Sequence, residues 1–293
     1  MVFFGKIAAI VFAWGAYVVL RLAGWKRKTV MANAKHVASP VNYDELLFNL
    51  TRHASELLFR FGTFKKLPHD FTAYPCRVDG WDFALDEAAI PVLAKMRAGG
   101  IFLTAHYGNY EAMGPWLCRL GIPLVASYIP VKPKWLNNIL ERKIRSVDGR
   151  SYSVDARTPR DFIRILNDGK LFCLLSDQDS RIPSAIDGTL LGQPANVNPL
   201  PDFLLTHRPQ TPVFICWMEE ICGIRVLHAI EVEGPQVASP ARLASPAPSP
   251  SQSSVVNSQF NKWLEERIYE NPNLWYSFTH RRFYSQSPEI YGE

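Results

Sequence analysis

Ile101-Phe102-Leu103-Thr104-Ala105-His106-Tyr107-Gly108-Asn109-Tyr110-Glu111 joins an uninterrupted apolar run to a polar turn, and that junction sets the reading of the whole chain. The run Ile101-Phe102-Leu103 is short, uncharged and preceded by Gly99-Gly100, the pattern of a buried strand. Ala112 to Leu120, closed by Gly121, has the pattern of a helix with a glycine just past its end. His106 and Glu111 therefore fall at a strand-to-helix junction, where ligands and reacting groups gather in α/β folds. The helix dipole keeps a carboxylate in the first turn charged. An ionised carboxylate beside an imidazole fixes its tautomer and stabilises the imidazolium formed when the ring takes a proton. Five positions along a regular helix do not bring two side chains to one face, so the spacing alone leaves a merely structural pair open. Gly108 and Asn109 supply a turn that can direct both side chains into one cavity. On this reading His106 and Glu111 form a hydroxyl-activating dyad.

Outward from the junction, strands alternate with helices. Tyr43, Leu46, Leu47, Leu50, Ala54, Leu57, Leu58 and Phe61 fall on one helical stripe, and Asp82 to Met96 is expected as a helix despite Pro91. Downstream, the pattern predicts a strand over Leu124 to Ser127, a helix from Pro133 to about Arg145 and a short helix over Arg160 to Asn167. A strand over Leu171 to Leu175 then ends at Ser176-Asp177-Gln178-Asp179. Strands over Val213 to Met218 and Ile224 to Ile230, a helix over Val256 to Tyr269 and a last strand over Asn273 to Phe278 complete the series. The alternation predicts an α/β fold with a mostly parallel central sheet flanked by helices. The stretch 234–254, rich in Pro, Ala and Ser without an apolar period, is expected as a flexible linker.

At 293 residues, 47% hydrophobic and 20% charged, the chain is long enough for one sizeable core, so a single catalytic domain with a terminal appendage is the simplest organisation. The net charge of +5 is modest and its basic residues are spread out, which makes nucleic acid an unfavoured partner. Acidic headgroups or a phosphorylated substrate suit the excess equally well. The five cysteines show no C-x-x-C pair and mostly sit in apolar runs, the pattern of buried, reduced thiols on a cytoplasmic side. At the amino terminus, Ile7 to Leu20 is uncharged, Lys6 and Arg21 bracket it, and Trp14, Tyr17 and Trp25 supply interfacial aromatics. A spanning helix needs about 20 residues, a length reached from Val2 to Trp25 if Lys6 and Arg21 snorkel. Trp25-Lys26-Arg27-Lys28 stands where a signal peptide would be cleaved and disfavours translocation. Residues 1–28 are therefore expected as an uncleaved membrane anchor, residues 29–293 as the catalytic domain on the cytoplasmic side. A core helix of a soluble protein remains the alternative.

Other chemistries lack their markers. Asp177 and Asp179 at a strand end suggest magnesium-assisted phosphotransfer, but no phosphate-cradling Gly-rich loop or second acidic motif joins them. The seven histidines lack the spacing of a zinc site, and no G-x-S-x-G elbow marks a serine hydrolase. The basic cluster from Lys132 to Arg145 is a solvated helix face or a phosphate clamp.

Five ordered segments carry a resemblance. Thr104-Ala105-His106-Tyr107-Gly108-Asn109-Tyr110-Glu111 is similar to a G-H-F-G-N-W-E type motif, and Tyr128-Ile129-Pro130-Val131-Lys132-Pro133 to a Y-R-P-x-x-N-P segment with Arg145 as the downstream arginine. Leu175-Ser176-Asp177-Gln178-Asp179 is similar to A-D-Q-D, Leu191-Gly192-Gln193-Pro194-Ala195 to F-G-x-P-A, and residues 273–283 to a closing Q-W-x-W-x-H-R-R-F. With the hydrophobic anchor before them, these segments resemble the late acyltransferases of lipid A biosynthesis over nearly the whole chain. The resemblance implies a glycerolipid-acyltransferase-like fold, an inner-membrane location facing the cytoplasm, and no metal or other cofactor. It also implies transfer of a fatty acyl chain from an acyl carrier protein thioester to a hydroxyl of a lipid A precursor.

His106 would then take the hydroxyl proton, with Glu111 orienting it, and the oxyanion would meet backbone N–H groups near Gly108-Asn109 or a nearby cation. Arg145, Lys132 and Arg181 would bind the phosphates, and Asp177 and Asp179 become structural or acceptor-positioning groups. The chain departs from the pattern at Tyr110, at Ser180-Arg181-Ile182-Pro183, at Leu191 and in the Pro- and Ser-rich insert. A related branch uses coenzyme A thioesters on other glycolipids, and the irregular segment after Asp179 leaves open an inactive, membrane-anchored lipid-binding protein.

Overall fold

The computed structural model of the chain describes residues 2–59, 61–128, 132–232 and 255–292. The linker expected at 234–254 and the middle of the Tyr128 to Pro133 segment lie outside the described residues. Three helices come first, α1 (Val2–Leu22), α2 (Arg27–His36) and α3 (Tyr43–Phe59). The hairpin β1 (Cys76–Val78) and β2 (Trp81–Leu85) leads to α4 (Ala89–Met96), β3 (Gly100–Thr104), α5 (Tyr110–Arg119) and β4 (Leu124–Ser127). Next, α6 (Lys134–Ile139) runs on as a π-turn over Leu140–Ile144 into the small hairpin β5 (Ser146–Val147) and β6 (Arg150–Ser151). Then come β7 (Ser153–Val154), α7 (Pro159–Asn167), β8 (Leu171–Leu175), the hairpin β9 (Ile186–Leu190) and β10 (Gln193–Val197), and α8 (Leu200–His207). A long hairpin, β11 (Val213–Ile221) and β12 (Ile224–Val232), and α9 (Val255–Glu270) end the regular elements.

Eight strands form one sheet in the order β1-β2-β12-β11-β3-β8-β4-β7. The pairs β2 with β12, β11 with β3, β3 with β8, β8 with β4 and β4 with β7 are parallel; only the two hairpins within the sheet are antiparallel. The architecture is thus α/β with a mostly parallel, mixed sheet between helices. β3 sits centrally and is buried along its whole length. Ile101 and Leu103 face a core built with Leu46 and Leu47 of α3 and Leu264 of α9, while Phe102 faces a second core with Leu93 of α4 and Trp116 of α5. A strand covered on both faces must be apolar at every position, which accounts for the uninterrupted run in the sequence.

Three expectations need correction. The helix expected over Asp82 to Met96 is a strand and a shorter helix, because Trp81, Phe83 and Leu85 alternate inward with the period of a strand after the turn at Asp79-Gly80. Pro91 then falls in the first turn of α4, where its missing N–H is harmless. The last strand expected over Asn273 to Phe278 is two 3₁₀ turns, Pro272–Leu274 and Tyr276–Thr279, with one bridge from Trp275 to Tyr107. Tyr276, Ser277, Phe278 and Thr279 are all buried, so the solvent-facing alternation of an edge strand is absent. Finally, Cys222 occupies the exposed turn between β11 and β12, whereas Cys173 and Cys216 are buried as expected.

At the amino terminus α1 lies along α3. Ala9 and Ala13 are buried, the Ser55 hydroxyl donates to the Ala9 carbonyl, and Arg21 Nε donates to Asp44 Oδ1 at 2.8 Å. The outer face shows Ile10, Val11, Val18, Val19 and Leu22 to the surroundings. No single helix among the described residues is long and apolar enough to cross a membrane; Ile7–Leu22 with Arg27–His36, bent by 81°, meets the length and composition of a broken span.

Candidate functional site

The parallel pairing of β3 with β8 sets Thr104 opposite Leu175, and the chain continues two residues past each partner to His106 and Asp177. The register therefore brings the imidazole and that carboxylate to one depth at the carboxyl end of the sheet. His106 Nδ1 lies 2.8 Å from Asp177 Oδ1, and the His106 backbone N–H donates to Oδ2 at 3.0 Å. Asp177 is fully buried, and its Oδ2 also accepts from Trp275 Nε1 at 2.9 Å and Ser277 Oγ at 2.6 Å. Four donors on one buried carboxylate satisfy its charge and lock its orientation. The imidazole is held in turn, with Nδ1 engaged and Nε2 the nitrogen left to exchange a proton.

Electrostatics follow the same contacts. Burial opposes the charged ring of His106, but the Asp177 carboxylate, its hydrogen bond and the Glu111 charge outweigh it and hold the His106 pKa above the ordinary histidine value. For Asp177, burial pushes upward, yet the His106 charge and the hydrogen bonds from His106, Ser277 and Trp275 hold the carboxyl well below the usual range. The pair is thus an ionised carboxylate bearing a basic imidazole. The ring also touches Tyr110 at 4.9 Å between centroids and lies 6.3 Å from His280.

The carboxylate hydrogen-bonded to His106 is Asp177, not Glu111. Glu111 Oε1 accepts from Arg145 Nη2 at 3.0 Å, and the Arg145 guanidinium stands over the Tyr128 ring at 5.0 Å. Glu111 sits in the first turn of α5 as expected, but that turn aims it toward the end of the π-turn rather than back at position 106. It reaches His106 through charge alone. Arg145 Nη1 is buried without a hydrogen-bond partner beside Glu111.

The remaining expected residues separate. Gly108 holds a positive φ of 57°, and an added Cβ would meet the Met218 carbonyl at 2.9 Å, so the turn there requires glycine. Its N–H donates to the Leu274 carbonyl at 3.0 Å and the Tyr107 N–H to Ala105, so these amides do not face an oxyanion. Asn109 starts α5 without a side-chain cap and donates from Nδ2 to Glu56 at 2.8 Å. Asp179 accepts from Ser285 Oγ at 2.9 Å and Arg181 Nε at 3.1 Å, which ties the carboxy-terminal segment to the sheet rather than facing a substrate. Arg181 and Lys132 are exposed. Among the described residues, no group of His, Cys, Asp and Glu could hold a metal ion.

No family model and no curated protein matches this chain.

Asp177 as the orienting carboxylate, with Trp275 and Ser277 as its donors, is what sequence reasoning missed. One signal was present, since His106 and Asp177 each follow an apolar strand by the same interval. Only the adjacency of β3 and β8 turns that signal into a contact.

Proposed function

We propose that the protein is a membrane-associated acyltransferase that moves a fatty acyl chain from an acyl carrier protein thioester to a hydroxyl of a lipid A precursor, on the cytoplasmic face of the bacterial inner membrane. The observation that carries this reading is the His106–Asp177 pair at 2.8 Å, with Nε2 free for a substrate proton. His106 Nε2 takes the proton of the acceptor hydroxyl as its oxygen attacks the thioester carbonyl carbon, and Asp177 stabilises the imidazolium that results. As the tetrahedral intermediate collapses, the C–S bond breaks and the thiolate takes the proton back from His106. With the amides of residues 106–108 and of Ala112 engaged, the oxyanion falls to the N–H groups of Tyr110 and Glu111 at the start of α5. Glu111 keeps Arg145 in place and adds negative charge near the ring.

The resemblance of five ordered segments to the late lipid A acyltransferases supports the choice of donor and acceptor. The exposed apolar face of α1 and its following Lys26-Arg27-Lys28 support a seat on an anionic bilayer. Lys132 is an exposed cation that can meet acceptor phosphates, as is the exposed Arg181 beside its partner Asp179. The test is mass spectrometry of products formed by the purified full chain and by His106→Ala. Both are given acyl carrier protein and coenzyme A thioesters with a tetra-acylated lipid A precursor. One added acyl chain, lost in the variant, is the expected result. A folded wild-type chain that acylates neither this precursor nor other glycolipids would overturn the proposal and leave a lipid-binding role.

A further inference from the structure

α6 and the π-turn that continues it carry an outward face that the proton transfer does not use. Trp135 is 63% exposed and Ile139, one helical turn on, is 37% exposed. Lys134, Arg142 and Lys143 are exposed around them, while Asn137 and Ile144 are buried. The segment is thus amphipathic, with an indole and an aliphatic side chain on the surface among cations. Indole rings favour the boundary between headgroups and hydrocarbon, and lysine and arginine favour anionic headgroups.

Position favours a bilayer over a soluble acidic partner. α1 and α3 run antiparallel, with Arg21 paired to Asp44 at one end and Phe12 against Phe59 at the other, 5.5 Å between ring centroids. At that second end Ile7 and Ile10 of α1 and Leu58 and Phe59 of α3 are exposed. The chain then enters the 3₁₀ turn Phe61–Lys66, which packs on the π-turn after α6, and Lys65 Nζ donates to Ser146 Oγ at 3.5 Å just past it. The cationic face of α6 therefore adjoins the apolar face of α1, and one bilayer surface can cover both. The π-turn ends at Arg145, which holds Glu111 at the start of α5.

We propose that Trp135, Ile139, Lys134, Arg142 and Lys143 form a second bilayer contact, additional to α1, that seats α6 in the headgroup layer of an anionic membrane. Through Arg145 this contact sets the His106 site at headgroup depth, where a lipid acceptor carries its hydroxyl. That last consequence alone rests on the acyl-transfer reading.

The experiment is fluorescence quenching of the full chain reconstituted in vesicles of phosphatidylethanolamine and phosphatidylglycerol, with lipids brominated near the headgroup as the quencher. The Trp135 signal is the difference between the wild type and Trp135→Phe. We expect the brominated lipids to quench that signal and iodide in the water phase to leave it. In vesicles of phosphatidylcholine the lipid quenching should be several-fold weaker, as the headgroups carry no net charge. Replacing Lys134, Arg142 and Lys143 together by Gln should shift the docked-to-free ratio of this face about 10²-fold toward free, at about fivefold for each cation. High salt should act in the same direction on the wild type, and serves if the triple variant fails to fold. A Trp135 signal quenched by iodide and not by brominated lipids would overturn the proposal, as would equal lipid quenching in charged and uncharged vesicles. Protection from iodide only on addition of acyl carrier protein would assign the face to an acidic protein and overturn it too. Acylation of the lipid A precursor beside an undocked Trp135 would sink the docking and leave the reaction standing; a docked Trp135 without product would do the reverse.

Discussion

Among the described residues two histidine–carboxylate pairs have the same length, and they differ in how the carboxylate and the ring are held. His106 and Asp177 meet at 2.8 Å past the ends of β3 and β8; His228 and Asp86 also meet at 2.8 Å, on the β12 side of the sheet. Asp177 is fully buried under three donors besides the ring, whereas the Asp86 side chain is 37% exposed and also caps the Ala88 N–H. His228 stacks on Trp217 at 4.8 Å with its Nε2 buried, so its second nitrogen has no route to a ligand. Pair geometry alone does not make a base. A dry, saturated carboxylate on one side and an open face on the other do, and in an α/β fold the carboxyl end of the sheet supplies both.

The comparison breaks most directly at the rings. His106→Ala should reduce acyl transfer by about 10³-fold or more, as loss of a general base does. His228→Ala should stay within about threefold of wild type in product mass spectrometry, in line with its lack of substrate access. Comparable losses from both would erase the distinction.

Next come the carboxylates. Asp177→Asn should lower kcat by about 10²-fold or more through loss of the held tautomer and imidazolium stabilisation. It should also move the acid limb of kcat/KM. In the wild type that limb lies above the ordinary histidine value, because Asp177 raises the His106 pKa; removing the charge shifts it to lower pH. Glu111, Tyr110, His53 and His280 surround the same ring and remain in place in this variant. Asp86→Asn should leave the limb where it was.

Glu111→Gln tests how the two carboxylates near His106 divide their work. It should cost about tenfold in kcat/KM with a smaller shift of the acid limb than Asp177→Asn, since Glu111 acts through Arg145 and through charge. A loss equal to that of Asp177→Asn would return the orienting role to Glu111.

Asp202 provides the weakest and opposite case, a buried carboxylate with no cation beside it among the described residues. Burial pushes its pKa up to about 6, against a single hydrogen bond from Asn257 at 2.8 Å. A carboxyl whose folded value lies above its unfolded one takes up a proton on folding, so stability falls as pH rises through the window from about 4 to about 6. Asp202→Asn should therefore raise stability at pH 7 by about 2 kcal/mol, and the gain should vanish below about pH 4 in thermal melts.

Much of the fold was legible in the sequence. Ile101-Phe102-Leu103 and Leu171 to Leu175 read as strands because central parallel strands are apolar at every position, and α3 and α9 read as helices from their apolar stripes. β2 was hidden inside a helix-like stretch because three alternating residues form too short a period to outweigh the run that follows. The segment through Trp275 mimicked a strand because Trp275 to Phe278 are all buried, and composition does not distinguish a buried turn from a buried strand.

The site divides the same way. Local pattern placed His106 after a buried strand and Asp177 after another, since strand ends are written in hydrophobicity. Which carboxylate would hold the imidazole was settled by the pairing of Thr104 with Leu175, a contact across 71 positions of sequence. A neighbour five residues away lost to one 71 residues away, because the turn into α5 carries Glu111 off toward Arg145 while sheet register fixes Asp177 beside the ring. Spacing along the chain states what is near in sequence; strand order and register, fixed by the burial of two apolar faces, decide what is near in space.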